Sequence, residues 1–448
     1  MCRGAYRGAE TGVSLMPTPS SLPQRRSGHQ TLSAKQSPLS LLQLRLYLYT
    51  LPFTYALSAR EGLVTLTVGV AALALLFCVF DVVFRGVEIP SKFPIFLLIL
   101  FCLNMVFAII EQNIANDKTI NHFAAYSGSI LLFGIVPMLL VSSADSKRAT
   151  EIICSDLVIV ARLCCVVAIL QFWMNNFTRY TFEDFIPYPQ GIEAQSMFLG
   201  RFFRSRGFAA EPGHFSLLLE MLVPFVVYTQ REIWLRQRWR LLLDVALIFL
   251  GFCCIGSPTG FIILGLSYVA AQAISGGGPR ASTLWLLLLS CGAIVAIYEV
   301  MIRDLVGGAS LIDVAWEMIS GKLDSSSAEV RVDRFALGWT LLSEASPSQL
   351  IFGYGPASYF NLNLGDQSII QLFQLLLVEC GIVGTGLFLG AFVSLARSAH
   401  KALSDARLFY FWSMCALGIH YTFISNYYYP YIWLLFALRF ALRDRRLG

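Results

Sequence analysis

The chain has 448 residues, of which 56% are hydrophobic and only 14% charged, with a formal net charge of +5. Its mean hydropathy of +0.65 excludes an ordinary soluble domain and offers no basic patch of the kind a nucleic acid partner needs. The composition is that of an all-α, polytopic integral membrane protein.

Residues 1–40 are rich in Ser, Pro, Gln and Arg and lack an apolar signal-peptide core, so they are expected to form a disordered cytoplasmic tail, with Met16 an alternative start. A sliding window then gives about twelve candidate spans, near 41–57, 63–84, 93–110, 122–142, 152–174, 213–229, 241–256, 259–275, 282–302, 367–394, 408–425 and 429–442. The first carries Arg45 near its start, and the last is short and interrupted by Pro430. Together, residues 41–442 form one membrane domain, followed by a cytoplasmic tail at 443–448.

Short cationic connections set the orientation, because Lys and Arg resist translocation. Lys147 and Arg148, the arginines at 231–240, Arg280, then Arg397, Lys401 and Arg407, and finally the arginines at 443–446 share one face if the spans alternate. Both termini are therefore expected in the cytoplasm. The two long connections, 175–212 and 303–366, fall on the far side.

The eleven cysteines sit almost entirely in apolar stretches and show no disulfide or metal-ligand spacing. No cofactor is expected. In the fifth span, Asp156 and Arg162 need partners within the membrane, and the favoured reading is a structural ion pair with each other or with a neighbouring helix. Glu220 and Glu379 are likewise expected to face the bundle interior, and the Gly386/Gly390 spacing suggests close helix packing.

The chemistry concentrates in the far-side connections. Arg201, Arg204 and Arg206 place planar cationic forks, suited to phosphate oxygens, within six residues. Gly207 permits a tight turn, Pro212 suits a first helical turn, and Glu211 stands beside the cap. His214 and the helix amino terminus would complete a small anion site; snorkelling arginines at lipid headgroups are the plain alternative. In the second connection, Ser326 to Glu329 has capping-box spacing. Val332, Phe335, Trp339 and Leu342 recur at helical intervals, marking an amphipathic helix that rests on bilayer or protein. Arg331 and Arg334 flank that face. A turn follows at Gly353-Tyr354-Gly355-Pro356.

The stretch RSRGFAAEPGHFS resembles the R-x-x-G, E-P-x-H-F signature of Wzy-like O-antigen and exopolysaccharide polymerases, which are related to the O-antigen ligases. The matching positions are Arg204, Gly207, Glu211, Pro212, His214 and Phe215. Gly353 to Pro356 resembles the glycine loop of the same family, and Glu379 to Gly384 the helix behind it. The likeness covers roughly residues 200 to 390, and Ser257 to Gly260 matches weakly.

What the resemblance implies is a GT-C-like fold in the bacterial inner membrane and polymerisation of undecaprenyl-diphosphate-linked oligosaccharide repeat units on its outer face, without metal. Arg204, Arg206, Arg331 and Arg334 would bind the diphosphate, and Glu211 or His214 would take the acceptor proton. A chain-length regulator is the expected protein partner. Ligases place a histidine shortly before the equivalent of Glu379, and the chain carries Ile370 and Gln371 in that region, so the polymerase reading leads. An O-antigen ligase and a flippase for lipid-linked oligosaccharide remain the alternatives.

Overall fold

Every candidate span that falls within the described residues contains helix. The computed structural model describes residues 38–59, 64–85, 92–144, 146–189, 197–198, 202–276, 326–364 and 369–442. The expected span at 282–302, most of the two tails and the beginning of the second long connection lie outside them.

In chain order the helices are α1 (Pro38–Thr50), α2 (Leu66–Arg85), α3 (Lys92–Glu111), α4 (Asp117–Ser129), α5 (Val136–Ser143), α6 (Ser146–Phe177), α7 (Pro212–Arg236), α8 (Arg238–Ile255) and α9 (Pro258–Ser275). After the undescribed stretch come α10 (Ser326–Glu344), the short α11 (Pro347–Phe352) and α12 (Ser358–Asn361), then α13 (Leu372–Ala402), α14 (Arg407–His420) and α15 (Pro430–Ala441). A two-residue pair, β1 (Met197–Phe198) against β2 (Phe202–Phe203), is antiparallel. Six described helical segments are long and apolar enough to cross a membrane: 66–84, 92–111, 117–143, 148–177, 212–236 and 372–402.

Boundaries differ from expectation for identifiable reasons. The first apolar stretch is helical only over 13 residues, about 20 Å of rise, and a series of turns takes the chain on to Ala59. The fourth span starts five residues early, because Asn116 caps it by accepting from the Thr119 N–H at 2.9 Å. A π-helical turn at Ile130–Ile135 joins α4 to α5; Pro137 lacks the N–H that a regular turn would direct at Phe133, so the ladder shifts there.

Pro430 does not interrupt the last span but opens it, at the first helical turn. From Pro430 to Ala441 all residues but Phe440 are buried. A short helix that is apolar all round belongs in the centre of a bundle, and α15 packs there against α5, α6, α7, α13 and α14. Around it, α6 lies on α7 and α8, α14 on α7 and α9, and α13 on α3.

Asp156 and Arg162 are each paired with a charge on another helix. Asp156 on α6 accepts from Arg45 on α1 at 2.9 Å, and Arg162 reaches Asp244 on α8 at 2.8 Å. Both pairs are bidentate, and Trp234 adds an indole N–H to Asp244 at 3.0 Å.

The connections sort into two ends. At one end, the turn after α1 donates two backbone N–H groups to Phe208, Asn116 after α3 pairs with Asn361, and Asn426 after α14 meets His214. At the other, Thr150 bonds the Ala441 carbonyl and Arg439 the Ser398 hydroxyl.

Candidate functional site

The arginine stretch is fixed chiefly by neutral side chains that the sequence reading passed over. Asn176, near the end of α6, holds Phe203 at both backbone groups, accepting its N–H at 2.7 Å and donating to its carbonyl at 3.0 Å. Gln171, one and a half turns earlier and fully buried, accepts the N–H groups of Arg206 and Gly207 at 2.9 and 2.8 Å. The Ser205 N–H caps the Cys254 carbonyl at the carboxyl end of α8 at 3.0 Å. Unpaired backbone groups are costly inside a bundle, so these bonds determine the path of 203–207.

Within that path the arginines differ. Arg206 is buried; its guanidinium meets Glu183 at 3.3 Å and lies 4.3 Å from the centre of the Tyr188 ring. Here it braces the loop. Burial, helped by the neighbouring Glu183, pushes the Tyr188 phenol up from its ordinary range, and its hydroxyl donates to the Gly207 carbonyl. Arg204 is half-buried, with Nε donating to the Ile255 carbonyl at 3.1 Å. Arg201 and the side chain of Arg331 lie outside the described residues.

Gly207 turns the chain with φ +54°, and a Cβ on it would overlap the ring of Phe215, which is fully buried. The spacing of Gly207 and Phe215 is thus a packing requirement. Pro212 opens α7 as expected, and Glu211 stands exposed at its cap. One turn below, His214 is buried with both ring nitrogens engaged: Asn426 donates to Nε2 at 3.0 Å and the Tyr429 hydroxyl lies 3.4 Å from Nδ1. Further down α7, Glu220 is buried between Ser216 and His420, each at 2.7 Å. It faces the interior, as expected.

The connection at 421–429 serves both motif segments. It holds His214 through Asn426 and Tyr429, and it starts α13, whose first residue Leu372 donates its N–H to the carbonyls of Tyr421 and Ile424 at 3.1 Å each.

In the second segment, α10 lies across α13. The carboxamide of Gln374 donates to the Phe335 carbonyl at 2.8 Å, and a Cβ at Gly338 would clash with it. Tyr354 ties the far end of α10 by donating to the Leu341 carbonyl at 2.9 Å. Val332, Phe335 and Trp339 stay exposed, while Leu342, the last residue of that apolar face, packs on the core, so the face rests on the described protein only at its carboxyl end. Among the described residues, Arg334 keeps a buried Nε with no hydrogen-bond partner.

The glycine loop has a specific mechanical task. Helix α13 breaks at Gly381, with φ +64° and ψ −172°, which would orphan the preceding carbonyls. The loop supplies their donors: Tyr354 N–H to Val378 at 2.8 Å and Gly355 N–H to Glu379 at 2.9 Å. Asn104 of α3 donates to the Cys380 carbonyl at 2.8 Å. Asn104 also fills the space beside Gly384, whereas Gly386 has open space around it, so the close approach lies one residue pair away from the expected spacing. Glu379 itself is buried, accepting the Ser358 N–H at 3.4 Å, with Oε2 unpartnered among the described residues.

No group of three or more His, Cys, Asp or Glu among the described residues is placed to hold a metal ion. Gln171, Asn176, Asn104 and the 426–429 connection were missed by the sequence reading; Asn426-Tyr427-Tyr428-Tyr429, a polar and aromatic cluster between two apolar runs, was the one available signal. No protein-family model matches the chain, and no curated protein matches it.

Proposed function

We propose that this chain is a metal-independent glycosyltransferase of the inner membrane, similar to the Wzy polymerases, that joins lipid-linked oligosaccharide units on the outer face. The observation that carries the reading is the bracing of both motif segments, the one around Arg204 and His214 and the one around α13, by the single connection at 421–429. The grouping of the connections after α1, α3, α6, α8 and α14 at one end also favours alternating spans with the amino terminus on the cytoplasmic side.

In this reading the acceptor sugar hydroxyl attacks the anomeric carbon of the growing chain. The new C–O bond forms as the bond to the lipid diphosphate breaks, and the bonding electron pair leaves with the diphosphate. Arg204, together with Arg331 and Arg334, stabilises that developing charge, which in a partly dehydrated site is commonly the largest catalytic effect. Glu211, exposed at the cap, takes the hydroxyl proton. His214, engaged at both nitrogens, positions the cap.

The test is Arg204→Ala in the native host, with membrane levels matched by immunoblot and surface glycan resolved on gels. Loss of the long ladder with single repeat units still exported supports polymerisation. An unchanged ladder overturns it, and loss of single units as well would indicate a flippase.

A further inference from the structure

A belt of rings, whose tyrosines the proposed bond exchange does not use, runs from His214 at the start of α7. From His214 it passes to Tyr429 at 4.9 Å between ring centres, to Tyr428 at 5.1 Å, to Tyr126 at 6.2 Å, to His122 at 5.8 Å and to Tyr359 at 5.7 Å. Four separate chain segments contribute to it: α7, the 421–429 connection, α4 and α12. Its polar tips bond mostly to one another, His122 bridging the Tyr126 and Tyr359 hydroxyls at 3.4 and 3.3 Å.

Two carboxylates stand along it. Glu211 is exposed at the His214 end, and Glu379, 1% exposed, lies near Tyr126 and Ser358 with one oxygen unpartnered among the described residues. The belt is open from Tyr428 onward: Tyr428 is 36% exposed, and His122 and Tyr359 are half-buried.

Interfacial tyrosines of membrane proteins present amphipathic rings at headgroup level. Rings packed on one another across four chain segments, with an exposed carboxylate at Glu211, also match the needs of a sugar. A pyranose presents an apolar C–H face that lies on an aromatic ring and a rim of hydroxyls that needs hydrogen-bond donors and acceptors, which phenol and carboxylate groups supply. We propose that this belt is a saccharide-binding subsite, in which Tyr428 stacks on a sugar ring while the Tyr359 hydroxyl, held in place by His122, and Glu211 bond its hydroxyls. Its assignment to the acceptor unit rests on the polymerase reading; its ligand class does not.

The experiment replaces Tyr428 with the photoreactive p-benzoylphenylalanine in the full chain, irradiates native host membranes and purifies the adduct. Carbohydrate is detected by periodate oxidation and hydrazide-biotin. The same replacement at Leu242, which is 69% exposed on α8, provides the lipid-facing control. Carbohydrate on the 428 adduct and none at 242 is expected. Adducts at 428 that carry only phospholipid, or no adduct at all, overturn the subsite.

A second measurement uses Tyr428→Phe and Tyr428→Ala at matched membrane levels. Stacking requires the Phe variant to keep long glycan and the Ala variant to lose it at least tenfold; equal loss in both overturns stacking. A carbohydrate adduct at 428 combined with an unchanged ladder in Arg204→Ala would sink the polymerase reading alone. No carbohydrate at 428 with the ladder lost in Arg204→Ala would sink the subsite alone.

Discussion

Gly353 and Gly381 lie backbone against backbone: a Cβ on Gly353 would overlap the Glu379 carbonyl, and one on Gly381 would overlap the Ile351 carbonyl. Their dihedrals, φ +92° with ψ 174° and φ +64° with ψ −172°, fall where glycine alone is comfortable. The break in α13 and the loop that caps it therefore form one unit. Either Gly→Ala change should destabilise the fold by about 2–3 kcal/mol from strain alone, more with the overlap. The measurement is the thermal midpoint of the detergent-solubilised protein; a midpoint within a degree or so of wild type would refute the docking.

Gln171 offers one oxygen to two backbone amides at the centre of the arginine stretch. Gln171→Leu leaves both N–H groups buried without an acceptor, at about 1–3 kcal/mol each. Gln171→Glu keeps the acceptor but sets a second carboxylate against Glu183, to which the Gln171 amide donates at 3.1 Å, so it should recover only part of the loss. Limited proteolysis of the 175–208 segment reports this directly, with the fastest cleavage expected in the Leu variant, intermediate cleavage in the Glu variant and the slowest in wild type.

The apolar architecture was legible because length and hydropathy suffice to mark a span, and the arginine and glycine motifs stood out against an apolar background. The braces were not. Gln171, Asn176 and Asn104 sit in apolar helices where one amide reads as tolerated, and what each does depends on a loop distant in sequence. Pro430 illustrates the same limit, since a proline between two apolar runs reads as an interruption until its place at the first turn of α15 is known. The ion pairs were anticipated in kind, but Arg45 and Asp244 as the partners of Asp156 and Arg162 follow only from which helices touch.

Those pairs yield a prediction that separates structure from chemistry. Asp244→Asn leaves Arg162 without its counter-charge, and breaking a buried pair costs about 3–5 kcal/mol; Arg162 is 39% exposed at its side chain, which places the expected loss at the low end. The double change Arg162→Met with Asp244→Leu should restore most of the thermal midpoint. At matched membrane levels both variants should make glycan of normal length, and a shortened ladder in the restored double variant would assign the pair a catalytic part.

Arg204 and Arg206 are two residues apart, yet their surroundings predict opposite phenotypes. Arg206 is buried against Glu183 and Tyr188, so Arg206→Ala removes the counter-charge of Glu183, leaving it with the Gln171 and Asn175 amides, and should lower the folded level in the membrane. Pairing Arg206→Met with Glu183→Gln removes both charges and keeps volume, and should recover that level along with long glycan. Arg204→Ala should leave the level near wild type while the polymerisation rate falls by about 10²–10³-fold, the scale of losing one preorganised charge-stabilising group. Immunoblots and glycan gels on the three strains read this out. Should the Arg206/Glu183 double variant reach normal levels and still make no polymer, Arg206 would join the diphosphate site and the bracing role assigned to it would fall.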